Sequence, residues 1–256
     1  MFESAKLKVG RAEKHILDLS TFVRSASDEP NFHSIVIHEV DANWGVNDLV
    51  ITFNDRDFPS TCALIVGDVL HNLRSALDLL WYEIVTVHCK GKPSKWTRFP
   101  IFDERDELKN KLQEAFETGK ISQIVRDSTL DKIQPVKAVN FRLWAVDDMN
   151  ITDKHQILIP TFRSTAIESI RLEDEAKGSF TLPIILLEDS CTLRLDSNVC
   201  GWHPKLIDKG CISVGIGFQR GTACEGQPVI PMLNAIKREV THTIERFEGL
   251  LSGSTG

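Results

Sequence analysis

The side chains with most chemical potential lie in one segment, Gly67-Asp-Val-Leu-His-Asn-Leu-Arg-Ser-Ala-Leu-Asp78, set in an apolar-rich helical pattern from Ser60 to His88. At about 100° per residue, Asp68, His71, Ser75, Asp78 and Tyr82 fall within an arc of about 80°, while Val66, Leu70, Leu73, Leu77 and Leu80 cover the remaining girth. The stripe holds no lysine, only short or hydrogen-bonding side chains on a helix that reads as buried around most of its circumference. Three readings stand open: a structural hydrogen-bonded network, a functional site, or the solvated face of an amphipathic helix. If the stripe is buried, each polar group needs a partner, because an unpaired one costs about 1–3 kcal/mol.

A second polar cluster, Asp147-Asp148-Met-Asn-Ile-Thr-Asp-Lys-His155, closes a helix predicted from Ala138 to Lys154. Asn150, Asp153 and Lys154 share one side of it, and His155 falls at the last turn, where the helix dipole favours a cationic imidazole. This is either a C-terminal cap with a charged fringe or one wall of a pocket that faces His71 and Asp78. The pocket reading gives a binding set of Asp68, His71, Asn72, Arg74, Asp78, Asp153, Lys154 and His155. The catalytic candidates are His71 and His155 for proton transfer and Arg74 for holding an anion.

Other chemistries lack their spacing. The Glu-x-x-His pairs of helical di-iron sites are absent, and Asp68 with His71 at i, i+3 only imitates them, so neither metal nor cofactor is expected. There is no G-x-S-x-G, and no cysteine stands in a nucleophile frame with a histidine. Gly215-Ile-Gly217-Phe-Gln-Arg-Gly221 has phosphate-loop composition but lies in a predicted strand with no helix directly after it.

The elements that would position these residues make an α+β chain. Residues 5–26 carry Ala5, Val9, Ala12, Ile16, Leu19 and Val23 at helical spacing, and a β-hairpin is predicted from two runs at His33–Val40 and Asp48–Phe53. Further helices are predicted over 103–118 and 138–154, with an extra turn at Ile121–Val125. From Gln156 the pattern turns to strand-length runs, Gln156–Pro160, Ile167–Leu172, Ser179–Leu187, Cys191–Leu195 and Cys211–Gln219, read as a mostly antiparallel sheet. A final packing helix starts at Pro231, with Met232, Leu233, Ile236, Val240, Ile244, Phe247 and Leu250 as its stripe. The expectation is one compact unit over 1–256, mainly helical over 1–155 and sheet plus terminal helix over 156–251.

With 256 residues, 42% hydrophobic and 26% charged, the chain can bury a sizeable core, and its formal charge of −6 argues against a surface wholly given to nucleic acid. No apolar window is long enough to span a bilayer and the start lacks a signal-peptide pattern, so a cytoplasmic protein without a membrane partner is expected. The six cysteines contain no C-x-x-C pair and read as reduced, mostly buried thiols.

The string from Gly67 to Asp78, followed by Phe99-Pro-Ile-Phe102, Ile133-Gln-Pro135, Leu143-Trp144 and Asp153-Lys-His155, resembles a family of uncharacterised bacterial proteins over about residues 60–157. Its Leu-Arg-Ser-Ala-Leu-Asp core is similar to the HEPN superfamily of helical bundles. That resemblance implies a metal-free ribonuclease chemistry, in which a histidine a turn after the arginine moves protons. Here Arg74 is present, but Leu79, Leu80 and Trp81 occupy the expected histidine positions, so His71 or His155 would have to replace it.

The leading expectation is a binding or accessory protein with a buried polar pocket for a small or nucleotide-like ligand. The alternatives are a HEPN-like ribonuclease or other hydrolase, with RNA as a partner, and a structural protein that forms homo-oligomers through the stripes of helices 5–26 and 231–251.

Overall fold

A computed structural model describes the backbone of residues 1–28, 33–41, 46–53, 58–93, 97–155, 161–168, 170–174, 178–182, 185–188, 191–196, 205–208 and 211–252. Side chains are described chiefly within 1–25, 60–93, 97–153 and 215–252. The described chain is mostly helical, with short strands.

Helix α1 (Glu3–Asp28) buries Ala5, Ala12, Ile16, Leu19 and Val23 on one face, as their spacing requires. That face packs on α2 (Phe58–Glu83) and on α6 (Val229–Ser252). Helix α6 in turn buries Leu233, Ile236, Val240, Ile244 and Phe247. The two stripes that the sequence offered to a second chain are thus both turned into this chain's own core.

Helix α2 lies between them. Pro59 sits in its first turn, where a missing N–H leaves no helical bond unmade. The helix passes into a π-type turn at Ile84–His88 and is closed by Gly91, whose N–H donates to the Val85 carbonyl at 2.8 Å. A Cβ on Gly91 would lie 2.8 Å from the Lys120 carbonyl oxygen, so glycine is what lets the chain pass here. Phe2, Leu70, Leu73, Leu77, Leu80, Phe99, Phe218 and Phe247 are fully buried together. Each such side chain contributes about 1.5–3 kcal/mol on burial, so α2 is clamped at the centre of the bundle.

Three more helices complete this part: α3 (Arg105–Glu117), α4 (Gln123–Ser128), which runs into a second π-type turn at Thr129–Ile133, and α5 (Phe141–His155). Gln134 ends that turn in the left-handed region, φ 49°, with its N–H on the Thr129 carbonyl.

The strands are β1 (His33–Asp41), β2 (Val46–Phe53), β3 (Thr161–Glu168), β4 (Ile170–Asp174), β5 (Gly178–Leu182), β6 (Ile185–Glu188), β7 (Cys191–Asp196), β8 (Lys205–Asp208) and β9 (Cys211–Phe218). They pair as three small antiparallel ladders, β1-β2-β7, β6-β3-β9 and β5-β4-β8. In the 33–53 segment β1 and β2 pair antiparallel, and β2 also pairs with the distant β7. The single sheet expected after Gln156 is corrected: the later strands fall into separate ladders. Alternation of side chains specifies the faces of a strand but leaves its neighbours open. The glycines of Gly215–Gly221 lie at the end of β9 and in the turn beyond it, where the Phe218 N–H meets the Gln227 carbonyl at 3.0 Å. Among the described residues no helix is long and apolar enough to cross a membrane.

Candidate functional site

Which polar residues of α2 are hidden is decided by the helices on either side of it. Asp68 and His71 are exposed, Tyr82 is 48% exposed, and Ser75 and Asp78 are half-buried. The buried polar residues are Asn72 and Arg74, which flank that arc on opposite sides. The expected closed stripe is therefore corrected: its middle is the open edge of α2, and its two margins are the covered parts. Among the described residues, the side chains of Asp68 and His71 have no hydrogen-bond or ion-pair partner.

On the α1 side, the Asn72 side chain donates to the Asp68 carbonyl at 2.7 Å and accepts from Lys8 Nζ at 3.3 Å. On the α5 side stands Arg74, 7% exposed. Its Nε lies 2.5 Å from Asp147 Oδ1 and its Nη2 donates to the Phe99 carbonyl at 3.1 Å. Its Nη1 lies 3.0 Å from Asp78 Oδ1, close enough for ion pairing but without the alignment of a hydrogen bond. Asp78 Oδ1 also accepts the Phe99 N–H at 3.0 Å, so Arg74 and Asp78 together hold both backbone groups of Phe99.

Phe99 carries the rest of its segment with it. Its ring meets Trp81 edge-on at 5.6 Å, and three residues on, the Phe102 N–H donates to the Pro135 carbonyl at 3.1 Å. Phe102 forms a bridge with Val136, Trp144 Nε1 donates to Asp103 Oδ1 at 2.5 Å, and Lys137 Nζ lies 4.1 Å from the Trp144 ring centroid. The segments around Arg74, Phe99, Pro135 and Trp144 thus meet at one junction, although they are far apart in the chain.

A second point of contact lies about two turns toward the start of α2. A Cβ on Gly67 would stand 2.5 Å from Asp153 Oδ1, so α5 approaches α2 here on the one residue without a side chain. Gly67 facing Asp153 and Arg74 facing Asp147 make the crossing antiparallel. The helices of the two polar clusters therefore touch, and Asp153 is brought to α2. Lys154 and His155 lie outside the described side chains.

Beside the junction is a small acidic recess of about 220 Å³, where Asp103, Glu107, Asp147 and Asp148 surround Phe102 and Trp144. Burial raises the Asp148 carboxyl above its ordinary range, with Lys137 opposing and Asp103 and Asp147 adding to the rise. Burial likewise raises Asp78, against the pull of Arg74, the Phe99 N–H and Arg98. Among the described residues no three His, Cys, Asp or Glu side chains converge as metal ligands.

Compared with known proteins, the chain matches no family model, no curated protein and no solved structure. Two residues central to the junction were outside the set expected from sequence, Asp147 and Phe99. An arginine in an apolar helix signals that some carboxylate must meet it, but nothing in the spacing says which. Phe99 acts through its backbone, which has no side-chain signature.

Proposed function

We propose that this chain is a binding or accessory protein for a small, anionic or nucleotide-like ligand, and that the Arg74 junction is the rigid frame of the binding region rather than its reactive centre. The observation that carries this reading is the commitment of Arg74. Its guanidinium is spent on Asp78, Asp147 and the Phe99 carbonyl, and two carboxylates already neutralise it. A guanidinium so engaged has little left to offer a phosphate, whereas a phosphate-holding arginine needs its donor fork free. His71 supports the same reading, since it is exposed and no carboxylate among the described residues orients it as a general base.

Melting of the purified protein against nucleoside mono-, di- and triphosphates and simple organic anions tests the proposal, because a ligand selective for the native state raises the midpoint in a saturable way. At least one class is expected to do so, and RNA incubated with the protein is expected to stay intact. RNA turnover that disappears in His71→Ala, or a midpoint unmoved by every class, overturns the reading.

A further inference from the structure

Between the end of α2, the Thr97–Pro100 segment and α3 lies a cavity of about 290 Å³, at the small end of ligand pockets and roomy enough for one ring with a charged substituent. Its floor is apolar, formed chiefly by Trp81, Leu112 and Ile121. Its rim carries three cations, Arg98, Lys111 and Lys120, and one carboxylate, Glu114. Lys111 is occupied by Glu114 at 2.8 Å, while Arg98 and Lys120 form no salt bridge among the described residues. In a chain of net charge −6 this is a local excess of positive charge over an oily surface. The Glu114 carboxyl registers it, being held below its usual range by the Lys111 hydrogen bond, with Lys120 adding to the effect.

Trp81 gives the floor a polar handle. The residue is only 6% exposed and its ring is fixed edge-on by Phe99 at 5.6 Å and Phe247 at 6.3 Å. Among the described residues its indole N–H has no acceptor, yet the sealed and unpartnered side-chain atoms are Arg74 Nη1 and His88 Nε2, so the Trp81 N–H keeps an opening to solvent. The cavity is the space that this nearly buried ring lines. A buried indole N–H ordinarily finds a partner, and this ring is one of those that line the cavity. The larger groove between α1 and α6 lacks this asymmetry: Lys6 pairs with Glu248 and Lys237 with Glu13, which leaves no net charge to select a ligand.

We propose that this cavity binds a small amphipathic anion, with an apolar ring on the Trp81 floor and a carboxylate or phosphate held by Arg98 and Lys120. The site rests on the binding reading above and gives it a place and a ligand class. Arg98 also acts on Asp78 through its charge, so an anion drawing on Arg98 is felt at the junction.

The Trp81 indole N–H resonance, assigned by its loss in Trp81→Phe, is followed by ¹H–¹⁵N correlation spectra during titration with phenylacetate, phenyl phosphate, neutral phenylacetamide and inorganic phosphate. Phenylacetate or phenyl phosphate is expected to shift it saturably, and the tighter of the two identifies the head group. Phenylacetamide and inorganic phosphate are expected to bind at least tenfold more weakly. The Arg98→Gln/Lys120→Gln variant, altered at two exposed side chains, is expected to weaken the anion at least tenfold and leave the amide unchanged. Equal binding of anion and amide, equal binding of phenyl phosphate and inorganic phosphate, or an unaffected double variant overturns the proposal. An unmoved Trp81 resonance overturns this site whether or not other resonances respond, and the binding reading is then decided separately by the melting series with nucleotides and organic anions.

Discussion

Asp147 Oδ1 lies 2.5 Å from Arg74 Nε, and this contact joins the middle of α5 to the middle of α2. Phe99 is drawn into the same knot through its carbonyl and its N–H, on Arg74 and Asp78 respectively. One guanidinium thereby fixes two helices and a connecting segment, and that segment forms one wall of the Trp81 cavity.

The Asp78 carboxyl is expected to leave a signature in the pH dependence of stability. Burial raises it above its ordinary 3.8, so the folded state binds the proton more tightly than the unfolded chain does. Stability is therefore lost as pH rises from the unfolded value through the folded one, and Asp78→Asn removes that loss. Measured by urea unfolding between about pH 4 and pH 6, the stability of Asp78→Asn relative to wild type should climb with pH. A flat or falling difference contradicts the assignment.

Gly67→Ala should change sign with its background. Alanine improves helix propensity by about 1 kcal/mol, but its Cβ here meets the Asp153 carboxylate, which must move. The substitution is expected to destabilise the wild-type protein and to stabilise Asp153→Ala by up to about 1 kcal/mol. Equal effects in both backgrounds would show that the two residues do not touch.

Cys224 should resist alkylation in the native state. It is buried, and burial together with the Asp148 charge pushes its thiol up to about 12, so almost no thiolate forms near neutral pH. Treatment with iodoacetamide at pH 8 is expected to label Cys224 only after unfolding, as read by mass spectrometry of the peptides. Rapid labelling of the folded protein would place that thiol in solvent.

Much of the helical part was legible in the sequence because it rests on a single period. The stripes of α1 and α6 mark the faces that turn out buried, and the polar run of α2 marks the helix that meets α5. Which polar residues of α2 are covered was not legible. Asn72 and Arg74 lie at the margins of the stripe, and their burial follows from the position of α1 and α5, which no local pattern encodes. Asp147 could be recognised as one of several acidic residues in α5, but its selection over Asp148 or Asp153 depends on the crossing geometry. The strand runs failed differently: alternation identified strand-like segments, while the pairing of β2 with the distant β7 is a long-range choice.

Arg74 serves the fold by tying α2 to α5, and a double-mutant cycle between Arg74→Ala and Asp147→Ala, read by urea unfolding, tests that role most directly. Removing one member of a fully buried pair costs about 3–5 kcal/mol; here Asp147 is partly exposed and Arg74 keeps Asp78, so each single variant should be destabilised, but by less than that. The double variant should then be less destabilised than the two together by about 1–3 kcal/mol. Additivity within about 0.5 kcal/mol would contradict the tie and return Arg74 to the list of groups free for other work.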